Sequence, residues 1–359
     1  MYKHNLSDVE WGEFFIGGED GAFDVCGTFT TPPSKLNKNG IIPRITCAAT
    51  NNGLDGFYNN SPTEKGGVLT VDSATSGYVS YQKNDFIATD HVEKICAKNN
   101  NYISREVGLF LKTSIEYSSA SKYGYGYKFS QTRIKRQKIM LPIDENNQPD
   151  WLFMEEYIKE RENKQRQHLK EYYKDRLLDL VVSPEVLTDI EWREFSLRDL
   201  FIFKRGNQNN MSLCETGEIP LISAKKVDNG VKAFISDNGK KLFEGHILTL
   251  NNDGDGGVGI AYYQANKIAL DTHVTALIPK VYLNRESLLF ISRTITIQRE
   301  KFSHGYSLNN NRMEAQKIVL PVDKNGTPNW SYMENSIKNI EQKHIKNILK
   351  CLDEYIYII

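Results

Sequence analysis

An internal repeat constrains the fold of this 359-residue chain more than any other feature of its sequence. Residues 133–159 match residues 312–338 without a gap, at an offset of 312 − 133 = 179, and 14 of the 27 positions are identical. Weaker matches extend the repeat upstream as far as Trp11 and Trp192. A period of this length is the size of a whole domain and is too long for a solenoid. The sequence therefore predicts one unit of about 180 residues that is used twice.

Each unit changes character once along its length. β-branched and aromatic residues, interrupted by Gly, Asn and Asp, dominate the first part and predict short strands, as in Gly67–Val71, Gly77–Gln82 and Ile247–Leu250. The last part is helical, and Asp150 or Asn329 is expected to cap its first turn. These patterns predict an α+β fold with two tandem domains.

The helix that ends each unit carries an apolar stripe. The stripes comprise Met154, Ile158, Leu169, Tyr173, Leu177 and Leu180 after Trp151, and Met333, Ile337, Ile340, Ile345, Ile348, Leu352 and Tyr355 after Trp330. The second stripe has a spacing of about 3.5 residues, which is typical of a coiled-coil seam. Each helix of about 30 residues would be about 45 Å long. We expect the two helices to pack together, and two unrelated surface helices are the alternative.

Charge and composition limit the class of protein. The chain is 40% hydrophobic and 25% charged, which is typical of a globular protein, and its 45 basic residues balance 45 acidic ones. A DNA-binding protein that acts alone is usually basic, so a nucleic-acid surface here must be a local patch or must be completed by a partner. The polar start at Met1–His4, the absence of a long apolar run and five cysteines without zinc spacing lead us to expect a cytoplasmic protein with reduced thiols.

The repeated motif resembles that of a known protein family. Each unit ends in Leu-Pro-Ile/Val-Asp…Pro-Asp/Asn-Trp…Met-Glu, at Leu141–Glu155 and again at Leu320–Glu334, and a long helix follows. The chain resembles the specificity (S) subunits of Type I restriction-modification systems, and more closely the compact S subunits of Type IIB systems. The resemblance covers nearly the whole chain. It implies two target-recognition domains, at 1–149 and 183–328, separated by two long helices, at 150–182 and 329–359, that pack as an antiparallel coiled coil.

The resemblance also implies a division of labour. Each recognition domain would read one half of a split target in double-stranded DNA, and the helix pair would set the gap between the halves. Methyltransferase or fused methyltransferase-endonuclease subunits would dock on the helices and carry S-adenosylmethionine and Mg²⁺. This chain is then expected to have no cofactor, metal site or catalytic residue of its own. The units differ most around 50–125 and 225–305, which fits an asymmetric target.

Patterns typical of enzymes are incomplete in this chain. Gly254–Gly259 matches GxGxxG, but Ile260–Gln264 is predicted to be a strand, whereas a dinucleotide site needs a helix there. A hairpin turn or a loop close to DNA is predicted instead. Thr31–Ser34 lacks the amide and the ring of an Asn/Asp-Pro-Pro-aromatic methyltransferase motif. His91 and His273 lack companions at metal-ligand spacing, so a structural role is favoured and a DNA contact is the alternative.

The predicted DNA-binding residues form basic clusters that contain tyrosine, glycine and asparagine. Arg and Lys neutralise phosphates, Arg and Asn can pair with purine edges, and glycine lets a loop approach the DNA backbone. The first cluster comprises Lys122, Tyr123, Tyr125, Lys128, Arg133, Lys135 and Arg136, its counterpart comprises Arg299, Lys301, His304, Tyr306, Asn309 and Arg312, and a further set comprises Lys204, Arg205, Lys225 and Lys226. A Gly-Tyr pair recurs at the same place in both units, which favours this loop over a merely solvated surface.

Two other functions remain compatible with the sequence. One is a stand-alone DNA-modifying enzyme with an unrecognised active site, and the other is an interaction scaffold that never contacts DNA. Cleavage or methyl transfer by the purified chain would indicate the enzyme. DNA affinity that survives charge reversal in the basic clusters would indicate the scaffold.

Overall fold

A computed structural model describes residues 5–74, 77–99, 102–180, 190–208, 210–237, 241–253, 257–302 and 308–354. The chain divides into two compact units, Met1–Leu169 and Lys170–Ile359. No helix in the described ranges is both long enough and apolar enough to span a membrane. All five cysteines are free thiols.

The first unit contains three small sheets and two helices, and a third helix begins in it. The strands are β1 (Trp11–Phe15), β2 (Phe23–Gly27), β3 (Ile42–Ile45), β4 (Leu54–Tyr58), β5 (Val68–Asp72), β6 (Val79–Gln82), β7 (Ile87–Ala88), β8 (Val92–Ala97) and β9 (Lys138–Pro142). The helices are α1 (Arg105–Ser119), α2 (Gln131–Arg136) and α3 (Trp151–Asp179). The strands pair in the orders β2-β8-β5-β6, β4-β3-β7 and β1-β9.

The second unit repeats this topology. Its strands are β10 (Trp192–Ser196), β11 (Phe201–Arg205), β12 (Thr216–Ile222), β13 (Val231–Ile235), β14 (Leu242–Phe243), β15 (Ile247–Asn251), β16 (Ala261–Gln264), β17 (Ile268–Leu270), β18 (Val274–Pro279) and β19 (Lys317–Pro321). Its helices are α4 (Leu197–Leu200), α5 (Arg285–Ile297), α6 (Asn310–Ala315) and α7 (Trp330–Glu354). The orders β11-β18-β15-β16 and β10-β19 match the first unit, while β13-β12-β17-β14 has one strand more than β4-β3-β7.

The main core of each unit forms between one helix and one four-stranded sheet, called the main sheet below, which is β2-β8-β5-β6 in the first unit and β11-β18-β15-β16 in the second. In the first unit Leu69 and Ile95 of that sheet pack with Leu111 of α1, and all three are fully buried. In the second unit Leu248 packs with Ile291 of α5 in the same way. α1 and α5 have hydrophobic stripes along one face because their apolar residues recur at helical spacing. The predicted α+β fold with two tandem domains is thus confirmed.

The two long helices begin where the sequence predicts. The Asp150 carboxylate accepts a hydrogen bond from the Phe153 amide at 2.9 Å, and the Asn329 side chain accepts one from the Tyr332 amide at 3.0 Å. Both therefore act as the predicted N-caps. α3 has 29 residues and α7 has 25.

The end of α3 lies antiparallel to α7 within the second unit. Lys170 Nζ is 2.7 Å from the Asp353 carboxylate, and Arg176 Nη2 is 2.9 Å from Glu341. A later residue of α3 therefore meets an earlier residue of α7. The Leu180 carbonyl, just beyond α3, accepts a hydrogen bond from the Gln342 side chain at 2.5 Å.

Candidate nucleic-acid interface

The loop between α1 and α2 closes on itself as a tight turn. The Gly124 and Tyr127 backbones exchange hydrogen bonds at 3.1 and 3.0 Å. A Cβ atom added at Gly124 or Gly126 would meet no atom within 4 Å, so packing does not require glycine there. Tyr125 at the tip is 87% exposed. The turn therefore leaves an aromatic side chain and a slim backbone facing solvent.

An aromatic column supports this turn from below. Phe129 is fully buried, and the Tyr123 ring stacks on it at 4.2 Å between ring centres. Tyr127 stacks on Tyr123 at 5.7 Å, and the Arg133 guanidinium lies 3.7 Å from the centre of the Tyr127 ring. The Tyr123 hydroxyl donates to the buried Gln137 side chain at 3.0 Å. Burial chiefly, and Tyr127 in addition, raises the pKa of Tyr123, while Arg133 opposes this rise. Tyr123 thus stays neutral as a fixed donor.

Cations surround this column. Residues 122–138 contain six Lys or Arg residues and no Asp or Glu. Lys122, Lys128 and Arg136 are exposed, and Lys135 is half-buried. α2 is held by the fully buried Ile134. A pocket of about 350 Å³ opens beside it, and its lining comprises Tyr123, Tyr127, Ser130, Thr132, Arg133 and Arg136. All seven predicted residues of the first cluster thus lie on α2 or the turn before it, which offers stacking surfaces and phosphate-binding charge together.

The counterpart cluster in the second unit is partly described. Arg299 and Lys301 are exposed on a short 3-10 turn after α5, and Lys301 Nζ donates to the Gln298 side chain at 3.1 Å. Asn309 caps α6, because its side-chain oxygen accepts from the Arg312 amide at 3.0 Å. That oxygen is therefore engaged. His304 and Tyr306, also predicted, lie outside the described residues.

The further basic set in the second unit is spread over several elements. Arg205 is exposed at the end of β11, where its Nε donates to the Thr272 carbonyl at 2.8 Å. Lys225 contacts the Asp228 carboxylate and the Val231 carbonyl, each at 2.9 Å, so its ammonium group stabilises its own loop.

The other two residues of this set are exposed. Lys204 borders a pocket of about 560 Å³ together with Lys241 and Lys280, and Lys226 lies beside Lys225. Lys204 thus lies on β11, whereas Lys225 and Lys226 lie in the loop after β12, although the sequence grouped them.

Lys225 and Arg299 flank the connection between β15 and β16. The Lys225 carbonyl accepts from the Tyr262 hydroxyl at 3.3 Å and from the Asn251 amide at 3.1 Å. A Cβ atom at Gly259 would lie 3.1 Å from Arg299 Cα. Burial raises the pKa of Tyr262, and the positive charge of nearby Arg299 only partly opposes this rise. Two predicted basic residues therefore border the same connection at one end of the main sheet.

Polar residues that the sequence did not predict as site residues also lie at this sheet end. Asn252 is 3% exposed, and neither polar atom of its amide has a hydrogen-bond partner among the residues that the structure describes. Ser73 holds the equivalent place in the first unit, where its hydroxyl donates to the His91 carbonyl at 2.8 Å. The Gln131 side chain at the start of α2 donates to Glu93 at 3.0 Å. Such residues can be found only once strand register is known, because polar residues after a strand are common in any turn.

The sequence patterns that partly match enzyme motifs have local structural roles. Ala261–Gln264 is a strand, as predicted, so the glycine motif is not followed by the helix of a dinucleotide site. Its residues 254–256 lie outside the described ranges. His91 and His273 each precede a strand and lie beside Asp90 and Asp253 respectively. The described residues contain no group of three or more His, Cys, Asp or Glu suited to a metal ion.

Comparisons with known proteins agree with this duplicated arrangement. The Methylase_S family, the Type I restriction modification DNA specificity domain, matches residues 9–171 and again 189–350. The Type II restriction enzyme BgcI specificity subunit S.BcgI of Heyndrickxia coagulans is 30% identical over 342 residues, 93% of this chain and 96% of that relative. The fold is similar to that of the S subunit of a Type-I restriction-modification system from M. genitalium, with a TM-score of 0.51 and 15% identity over 98% of this chain and 96% of that one. The chain therefore belongs to the Type I restriction modification DNA specificity family and, with two copies of its domain, is a DNA specificity subunit of a restriction-modification system.

Proposed function

We propose that the two units each read one half of a bipartite, asymmetric DNA target, and that the chain performs no chemistry itself. One observation carries the proposal: the loop before α2 combines stacked tyrosines, exposed cations and no acidic residue between 122 and 138. Such a surface suits the phosphates and the base edges of duplex DNA. The second unit keeps the fold but changes these residues, which fits a different half-site.

The proposed boundaries are 1–149 and 183–328 for the recognition domains, and 150–182 and 329–359 for the helices. The antiparallel contacts at the end of α3 support an antiparallel coiled coil that acts as a ruler between the half-sites. DNA contacts are proposed for all three predicted clusters, from Lys122 to Arg136, from Arg299 to Arg312, and at Lys204, Arg205, Lys225 and Lys226.

The partners proposed are double-stranded DNA and methyltransferase or methyltransferase-endonuclease subunits in the cytoplasm. These subunits would dock on the long helices and bring S-adenosylmethionine and Mg²⁺. The formal net charge of zero supports a requirement for partners, because phosphate binding needs a surplus of cations. The isolated chain should accordingly bind DNA weakly, and the complex should bind it tightly and specifically.

Charge reversal tests the DNA interface. Arg133→Glu with Arg136→Glu, and separately Arg312→Glu, should each lower the affinity of the assembled complex for its target by about tenfold or more, because each lost phosphate contact also removes counterion release. Affinity is measured by fluorescence anisotropy at several salt concentrations. Lys324→Glu makes the same charge change as Arg312→Glu at an exposed site outside the clusters and is the control for a single reversal.

Two outcomes would contradict the proposal. If both reversal variants fold and bind target DNA like the wild type, the clusters do not contact DNA. If the purified chain methylates or cleaves DNA when given Mg²⁺ and S-adenosylmethionine without partners, it is an enzyme.

A further inference from the structure

One arginine–glutamate pair occurs in both units, and in each unit it links the globular part to a long helix. Arg105 is the first residue of α1, and its Nη1 and Nη2 lie 2.9 and 2.6 Å from the two carboxylate oxygens of Glu162 on α3. Arg285 is the first residue of α5, and its Nη1 lies 3.0 Å from Glu341 on α7. The repeat thus preserves a contact between residues 57 positions apart in one unit and 56 in the other.

This pair is the second of two attachment points on each helix. The first is a methionine, Met154 on α3 and Met333 on α7, which is fully buried in the domain core. The glutamate follows eight residues later in both helices (162 − 154 = 8 and 341 − 333 = 8). Eight residues correspond to about 12 Å along a helix axis. One attachment point holds a helix in place, whereas two separated points also set its direction.

The geometry of the pairs suits orientation better than stability. The side chains of Arg105 and Glu162 are 44% and 29% exposed, and ion pairs this open to solvent add little to the free energy of unfolding. The two-pronged contact between Arg105 and Glu162 is nevertheless directional, because both N–H groups must point at both oxygens. In the second unit Glu341 also accepts from Arg176, at 2.9 Å from Nη2. Burial acts against the charge of Glu341, but the two arginines outweigh it and lower its pKa.

We propose that Arg105–Glu162 and Arg285–Glu341 set the angle at which each recognition domain is held on its helix, and thereby the spacer length that the complex accepts between half-sites. The inference rests on the proposed bipartite reading of DNA. A swing of about 10° at one end of a helix about 43 Å long moves the other end by about 7 Å, or about two base pairs. If the angle between a domain and its helix varies even slightly, the complex should therefore also bind targets whose spacers differ from the native length.

Spacer selection by the assembled complex tests this role. A duplex library with two randomised blocks, separated by spacers that differ by single base pairs, is selected for binding. The wild-type complex should return one pair of half-sites and one preferred spacer. Glu162→Gln should keep the same half-site sequences but lower the preference for the native spacer over neighbouring lengths about fivefold. Glu341→Gln should lower it more, because it removes the partner of two arginines.

The controls separate orientation from folding. Glu13→Gln breaks an ion pair of similar length, 2.6 Å to Lys138, which joins β1 to β9 within the globular part, and should leave spacer preference unchanged. The charge swap Arg105→Glu with Glu162→Arg should restore much of the preference. Unchanged spacer preference in both glutamine variants would overturn the inference while leaving bipartite recognition intact. A wild-type complex that selects no sequence at all would overturn the proposed function instead.

Discussion

Two glutamines at equivalent repeat positions differ in their hydrogen bonding. Gln137 accepts from the Tyr123 hydroxyl at 3.0 Å and donates to the Lys138 carbonyl at 2.7 Å. Gln316, at the same repeat position (316 − 137 = 179), is 8% exposed, yet neither polar atom of its amide has a hydrogen-bond partner within the described ranges of the chain. Identical residues in a repeat can therefore have different energetic roles, because a buried amide stabilises only where its bonds are made.

Leucine substitutions should separate these roles. Gln137→Leu should lower the free energy of unfolding by about 1–3 kcal/mol, because it strands the Tyr123 hydroxyl, whereas Gln316→Leu should be neutral or stabilising. Urea unfolding gives the free energies, and hydrogen exchange assigns the change to one unit. An equal decrease in the free energy of unfolding in the two variants would show that the Gln316 side chain also forms stabilising hydrogen bonds.

The sequence also does not predict which tyrosines of the first cluster are buried and which are exposed. Tyr123, Tyr125 and Tyr127 alternate with glycine and look equivalent in the sequence. The structure stacks Tyr123 on the buried Phe129 and leaves Tyr125 87% exposed. The difference depends on how the turn between Gly124 and Tyr127 meets the core, which is a tertiary property. The residue types therefore predicted a basic aromatic surface, but not that Tyr123 packs beneath it and Tyr125 is exposed to solvent.

At the scale of elements, the long helices are set by local signals. Asp150 and Asn329 each precede a tryptophan and bond the amide three residues on. Their oxygens satisfy amides that the first helical turn leaves without partners. This is why the helix starts were predictable from sequence. Strand pairing was less predictable from the sequence. For example, β3 pairs in parallel with β7, more than forty residues later in the chain, and no local pattern encodes such a contact.

Removal of the caps should loosen the first turns of these helices. Asp150→Ala and Asn329→Ala should each cost about 1 kcal/mol locally, so amide exchange in 151–158 or 330–337 should accelerate about fivefold. Hydrogen-exchange mass spectrometry measures this directly. Asp150→Asn is the matched control, because asparagine caps the helix at the equivalent position of the second unit. Wild-type exchange rates in both alanine variants would contradict a capping role.

At the scale of the whole molecule, two units share a fold but present different surfaces. The main sheets have the same strand order, and Trp11–Phe110 and Trp192–Phe290 stack at 6.4 and 6.3 Å. At the end of these sheets the first unit has Ser73, which bonds the His91 carbonyl, whereas the second has Asn252, whose amide has no partner among the described residues. A common scaffold with divergent sheet ends is what two different half-sites require.

A chain with two copies of the second unit should therefore recognise two identical half-sites. Replacement of residues 9–150 by 189–329 keeps each long helix attached to a complete domain and exchanges the whole first recognition domain for a copy of the second. Selection from the randomised duplex library should return the wild-type second half-site twice. Retention of the original first half-site would show that sequence preference does not reside in the exchanged domain.

The sequence by itself determined the duplication, the α+β class, the starts of the long helices and the location of the basic aromatic loop. These features depend on residue type and on spacing along the chain, which short-range sterics and hydrogen bonding translate directly into structure. Only the tertiary structure decided which polar groups are bonded, which cations stabilise their own loop, and that Arg105 and Arg285 meet glutamates on the long helices. Those contacts join residues far apart in the chain, and their geometry exists only after the sheets have paired and the cores have packed.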